Sequence, residues 1–143
     1  MFEIWTDGGT GPGTPDNCVG SWAFVAADGT QQSGLDMNST NNRAELMAII
    51  KAVEYAKSKG HAAVKIYSDS DLCIKCAQGK WKVRKNLDYW RLYHDTSQDI
   101  AITFEWVKGH SGIVNNEIAD KLCTQAIISY KTENAAHCKS WST

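Results

Sequence analysis

Hydrophobic and polar positions alternate from the start of this chain, and Phe2-Glu3-Ile4-Trp5-Thr6-Asp7 reads as a strand over residues 1–7. Gly8 to Asn17 is crowded with glycine and holds both prolines, which predicts a loop. Cys18 to Ala26 forms a second strand, and the Asp28-Gly29 turn signal returns the chain as a hairpin into a third near Gln31–Met37. The period then changes. Leu46, Ile50 and Val53 fall at i, i+4 and i+7, Ile49 and Ala56 widen the stripe, and Gly60 follows the last turn, so a helix is predicted over residues 42–59. Thr40 or Asn41 can cap its start. A fourth strand (Val64–Ser68), a helix from Ser70 to about Gln78, another over Leu87–Thr96, a fifth strand (Ile102–Val107) and a last helix from about Asn115 to Ser129 complete the pattern.

This order implies an α/β domain on one mixed sheet of five strands. The hairpins make strand 2 antiparallel to its neighbours, and the helical crossover sets strand 4 parallel beside strand 1. The strand order is then 3-2-1-4-5, with helices on the faces. Asp7 and Asp69 end strands 1 and 4, so they emerge side by side at the carboxyl ends of parallel neighbours, where open α/β sheets hold ligands. Glu45 lies above Ile49, Ala52 and Ala56, on the helix face turned towards the sheet. A mere surface charge belongs on the opposite face.

The 143 residues, 43% hydrophobic and 22% charged, suit one globular domain with its own core, taken as residues 1–129. Residues 130–143 are expected to be a partly disordered tail. No stretch nears the ~18 apolar residues of a membrane span. Met1 leads straight into a strand without basic segment, apolar run and cleavage site, so a signal peptide is not expected and a cytoplasmic location is. Five cysteines at irregular spacing (Cys18, Cys73, Cys76, Cys123, Cys138) argue against a disulfide framework. Cys73-x-x-Cys76 lacks the second pair a zinc site needs and is expected to supply structural thiols on a helix. The formal net charge of −1 hides an asymmetry. Lys75, Lys80, Lys82, Arg84, Lys85 and Arg91 crowd into residues 75–91 against Asp88 alone, together with Trp81 and Trp90, while the rest of the chain is acidic. That separation suits a protein that grips phosphates at one place and cations at another.

Four carboxylates carry the candidate chemistry: Asp7, Glu45, Asp69 and Asp120, the last ten residues beyond His110 of Trp106-Val107-Lys108-Gly109-His110-Ser111-Gly112. Several candidate residues also have a plain reading. Asp7 can end a strand in an Asx turn, Asp69 can cap the helix at Ser70, Asn41 can cap the helix that follows it, and Trp90 can be core. Taken as one cluster, the acids would raise each other's pKa unless cations intervened. Oxygen ligands without thiolates favour Mg²⁺ or Mn²⁺ over zinc. The chain has no phosphate loop or dinucleotide fingerprint, so a phosphodiester is the natural partner of such ions. Two ions can stabilise both the attacking and the leaving oxygen of an in-line displacement.

Thr6-Asp7-Gly8, Thr40-Asn41-Asn42-Arg43-Ala44-Glu45-Leu46, Ser68-Asp69-Ser70 and Trp106-Val107-Lys108-Gly109-His110 with Asn116-Glu117-x-x-Asp120 resemble type 1 ribonuclease H, in order and spacing, over roughly residues 1–127. The resemblance implies a ribonuclease H-like fold. It also implies an endonuclease that cuts the RNA strand of RNA–DNA hybrids, leaving 5′-phosphate and 3′-hydroxyl ends, with two Mg²⁺ or Mn²⁺ ions; a monomer is expected. By the same similarity Asp7, Glu45, Asp69 and Asp120 are the metal ligands. His110 matches a mobile histidine that assists water handling or product release, and Glu117 a neighbouring acid linked to metal exchange or product release.

Further matches concern the substrate. Asn41 and Asn42 match residues at the hybrid's minor groove, Thr40 and Asn86 parts of a pocket for a DNA-strand phosphate, and Trp90 a tryptophan near the DNA strand. A wide minor groove with 2′-hydroxyls on one strand distinguishes RNA from DNA, while phosphate contacts set register without reading sequence, so little sequence preference is expected. Against several family members the basic excursion before Asn86 is shortened to about Gln78–Lys85, leaving Lys80, Lys82, Arg84 and Lys85 to compensate. Asp71 stands where the family often has a substrate-contacting Gln, and the segment from Gly11 to Asn17 departs from the usual glycine-rich version. An exonuclease of the same fold would want a second acid at Gly9. An integrase-like domain is not expected to carry Asn41-Asn42-Arg43-x-Glu45, and a non-catalytic binding module should have lost ligand acids.

Overall fold

Five strands form a single sheet in the order β3-β2-β1-β4-β5. The elements along the chain are β1 (Phe2–Thr14), β2 (Asn17–Ala26), β3 (Gln31–Ser39), α1 (Asn41–Ser58), β4 (Ala63–Ser68), α2 (Asp71–Ala77), α3 (Leu87–Thr96), β5 (Ala101–Trp106) and α4 (Val114–Trp141). They come from a computed structural model that describes residues 1–14, 16–109 and 112–141, the stretch 135–141 as backbone only. β2 runs antiparallel to both β1 and β3, whereas β4 is parallel to β1 and to β5. The expected topology and strand order are therefore present.

The sheet is covered on both faces. On one, Ile4, Phe24, Val64 and Ile66 pack against Leu46, Ile49, Ile50 and Val53 of α1, with Trp90 and Tyr93 of α3 closing the side. Each such aliphatic or aromatic side chain contributes about 1.5–3 kcal/mol by leaving water. The period-3.6 stripe read along α1 is the stripe that meets this face. On the other face the small side chains Ala23 and Val25 let α4 approach through Ala119 and Cys123. No helix among the described residues is long and apolar enough to cross a membrane.

Two elements outrun their sequence patterns. The expected loop from Gly8 to Asn17 is instead mostly strand, because β2 continues opposite it: Gly8 pairs with Trp22, Thr10 with Gly20 and Thr14 with Asn17. A register shift falls between Thr10 and Gly13, where Pro12 sits and Gly13 adopts φ +131°. The glycines there mark a bulge and close backbone approach, which breaker statistics do not separate from a loop. The last helix, expected to end near Ser129, runs on to Trp141. Neither Gly nor Pro occurs after Gly112 to stop it.

Candidate metal centre and its surroundings

The parallel ladder between β1 and β4 ends at Trp5 opposite Tyr67. Two residues further along the chain stand Asp7, still within β1, and Asp69, just past the end of β4. Beyond that point β1 follows β2, with Asp7 paired to Ala23, and the gap that opens between β1 and β4 receives both acids. Glu45 arrives from above. A methyl on Gly8 would fall on the backbone nitrogen of Glu45 and 2.6 Å from the carbonyl carbon of Ala44, so α1 rests directly on β1 at a position only glycine can fill. One carboxylate oxygen from each of Asp7, Glu45 and Asp69 lies within 4.8 Å of the other two.

Three of the plain readings do not hold. Ser70 caps α2 by accepting from the backbone N–H of Cys73 at 3.2 Å, which leaves Asp69 without that task. Thr40 caps α1 through the N–H of Arg43, so Asn41 is not the cap. Asp7 lies inside a paired strand rather than in a turn.

Asp7 and Glu45 are each only 5% exposed. Burial, then the charges of Asp69 and Asp120, push the Asp7 carboxyl up to about 8, against a weaker pull from the Gly8 N–H. Glu45 is held well above its ordinary range by burial first and by Asp7 and Asp69 next. One Glu45 oxygen, Oε2, is buried with no hydrogen-bond partner. Hard, clustered, partly orphaned carboxylate oxygens are a donor set that fits Mg²⁺ or Mn²⁺.

The shift of Asp7 fixes the sign of a pH effect. Its unfolded form ionises near 3.8 and its folded form near 8, so the folded state binds the extra proton between those values. Without metal, stability should be greatest below pH ~4 as far as this group is concerned, and should fall progressively as pH rises from ~4 to ~8, at up to ~1.4 kcal/mol per pH unit. Urea unfolding in chelator at pH 5 and pH 8.5 checks this. The wild-type midpoint should drop by more than that of Asp7→Asn, and equal drops would refute the buried-acid explanation.

The remaining sequence-derived candidates lie around this trio. Asp120, half-buried on α4, stands beside Asp7, close enough to raise its pKa by charge and hydrogen bonding, but outside the 4.8 Å group. Glu117 is half-buried in the first turn of α4. Asn41 and Asn42 are exposed at the start of α1, next to Thr40. Asn86 precedes α3 in a left-handed conformation (φ +57°). Trp90, at 7% exposure, belongs to the core, and its edge also lines a hollow of about 250 Å³ with Asn42, Asn86, Lys82, Arg84 and Lys85. Lys80, Lys82, Arg84 and Lys85 are exposed on the irregular segment between α2 and α3. Asp71 is paired with Lys75 at 2.9 Å, which partly offsets its charge. His110 lies outside the described residues.

Some neighbours had no signal in the sequence. Cys123 backs the site, its thiol donating to the Asp7 carbonyl at 3.3 Å, while Ser21 Oγ donates to the Cys123 carbonyl at 3.0 Å. Gly109 leaves 3.2 Å between a would-be methyl and Asp69 Oδ2, so the loop after β5 can pass over that carboxylate. Cys73 is a buried thiol, as expected of a structural one, and burial lifts it to about 12. Cys18, Cys73, Cys76 and Cys123 are all free.

Comparison with known proteins bears on the same region. The family profile described as RNase H matches residues 1–128. A ribonuclease H of Campylobacter jejuni subsp. jejuni serotype O:23/36 (strain 81-176) is 32% identical, the alignment covering 93% of this chain and 95% of the relative. Among solved structures, the N-terminal RNase H domain of a Mycobacterium tuberculosis protein, fused to maltose-binding protein, superposes with a TM-score of 0.75 at 24% identity, over 93% of this chain and 97% of that one. LC11-RNase H1 in complex with an RNA/DNA hybrid gives a TM-score of 0.75 at 22% identity, over 91% and 99% of the two chains. Both structures share the fold.

Proposed function

The chain belongs to the RNase H family, and from that membership we propose that it is an endoribonuclease that hydrolyses the RNA strand of RNA–DNA hybrids. In this reading Asp7, Glu45, Asp69 and Asp120 hold two Mg²⁺ ions, with Mn²⁺ able to replace them. The observation that carries it is the meeting of three acids, far apart in the chain, within 4.8 Å at the mouth between β1 and β4. When bound, the cations would supply charge stabilisation for an in-line displacement at phosphorus.

The chain's own residues do the rest. Asp7 and Glu45 are withdrawn from water and form no salt bridge among the described residues, which suits oxygens that face the mouth. Asn41 and Asn42 present exposed amides beside that mouth, suited to the minor-groove edge where 2′-hydroxyls mark the RNA strand. Thr40 and Asn86 take a phosphate of the DNA strand, and Trp90 stands behind them. Lys80, Lys82, Arg84 and Lys85 follow the phosphate backbone without reading sequence, a shortened handle that predicts strong salt dependence. His110 assists water handling or product release, and Glu117 metal exchange or product release. A monomer suffices, since one chain carries all four acids. Free thiols suit a reducing, cytoplasmic setting.

The test is cleavage of matched RNA–DNA, DNA–DNA and RNA–RNA duplexes with Mg²⁺, Mn²⁺ or chelator. Only the RNA of the hybrid should be cut, with 5′-phosphate products and only with metal. Equal cutting of all three, or cutting in chelator, would overturn the reading.

A further inference from the structure

We propose that Arg43 is a positioning residue for duplex binding, latching the amino-terminal ends of α1 and α3 together so that Asn86 offers its amide donors on the same surface as Thr40, Asn41 and Asn42. The inference rests on the function proposed above.

Arg43 follows Asn42 in α1, but its side chain turns to α3. Its Nη1 and Nη2 donate to the two oxygens of Asp88, each at 2.9 Å, in the forked geometry that guanidinium and carboxylate share. The guanidinium carbon lies 3.7 Å from the centre of the Tyr89 ring. The Tyr89 hydroxyl donates to Asp36 Oδ1, and Asp36 Oδ2 accepts from Ser39 Oγ at 2.8 Å. Asp36 and Ser39 are buried, and Ser39 immediately precedes the cap Thr40. The contacts therefore close a ring. They leave α1 at Arg43, cross the first turn of α3 and return to the residue before the α1 cap.

What the ring fixes is Asn86. That residue stands at φ +57°, which Asn tolerates better than most residues, and makes no side-chain cap bond to α3. Instead its Oδ1 accepts from Arg43 Nη1 at 3.3 Å. An arginine can only donate, so the amide oxygen must face Arg43, and the NH₂ group is left for an outside acceptor. A phosphate oxygen is such an acceptor. Arg43 itself is a poor phosphate ligand here, because its charge is met by Asp88 and its side chain is only 19% exposed.

This arrangement predicts an unusual sign. Asp88 is an exposed acid beside a basic duplex-binding surface, and its removal would ordinarily tighten nucleic-acid binding. If Asp88 holds the latch, Asp88→Asn weakens binding instead. The experiment measures KM and kcat for hybrid cleavage, and hybrid affinity by fluorescence anisotropy, in wild type, Asp88→Asn, Arg43→Lys and the double variant. The expected result is a rise in KM of about threefold to thirtyfold for each single variant with kcat retained, the span of measured network couplings. Lys should not rescue, since it lacks the fork. The double variant should be no worse than the poorer single one. Unchanged or lower KM in Asp88→Asn, or fully additive effects, would overturn the latch. If an Arg43 variant fails to fold, the exposed Asp88→Asn decides alone. Wild type failing to cut hybrid in the same assay would refute the function and not the latch.

Discussion

Asp7→Asn should slow hybrid cleavage by at least about a thousandfold while leaving hybrid affinity unchanged or tighter. The substitution keeps the shape of the side chain but replaces one carboxylate oxygen by an amide NH₂, removing the charge and one cation-binding oxygen. Asp7 is 5% exposed and shares a 4.8 Å cluster with Glu45 and Asp69, so its oxygen holds a central place in the cluster. Binding should not suffer, because one negative charge facing phosphate is gone. Single-turnover cleavage and anisotropy with the same labelled hybrid separate the two effects. Asp69→Asn should behave alike. A variant retaining full rate would mean that the cations bind elsewhere.

Gly8→Ala should be the most damaging change for the fold, costing about 3 kcal/mol or more. The added methyl meets the backbone of Ala44 and Glu45 and not a side chain that could swing aside. Relief requires lifting α1 off β1, which also opens the core face around Leu46 and Ile49 and draws Glu45 away from Asp7. Gly9→Ala is the natural contrast. Its methyl would meet Ser21 Oγ at 3.1 Å, a side-chain atom that can yield, so the loss should be smaller. Urea unfolding of both variants tests the difference. Wild-type stability in Gly8→Ala would contradict the packing of α1 on β1.

Gly8 also illustrates where sequence reading stops. Asp-Gly-Gly reads as a turn because glycine statistics favour turns. Here the glycine is needed because a helix backbone presses on it, a fact of tertiary packing. Strand order and the inward face of α1 were legible, since two-residue and 3.6-residue periods report burial directly. Asp7 and Asp69 could be paired because parallel strands carry their register forward. Asp120 was placed in the cluster by family resemblance, and it stands beside Asp7 rather than within the trio. The bonds from Arg43 to Asp88 span 45 residues, and neither side chain announces the other. Trp90 combines both readings: the amphipathic pattern of α3 put it in the core, where it is, while it also lines the hollow it shares with Lys82, Arg84 and Lys85.

The claim on which the functional account stands is that these carboxylates share divalent cations. An anomalous difference map from crystals soaked in Mn²⁺ addresses it directly. The expected result is a peak among the oxygens of Asp7, Glu45 and Asp69, lost in Asp7→Asn. A map with no peak there, or with peaks only at other surface acids, would contradict it.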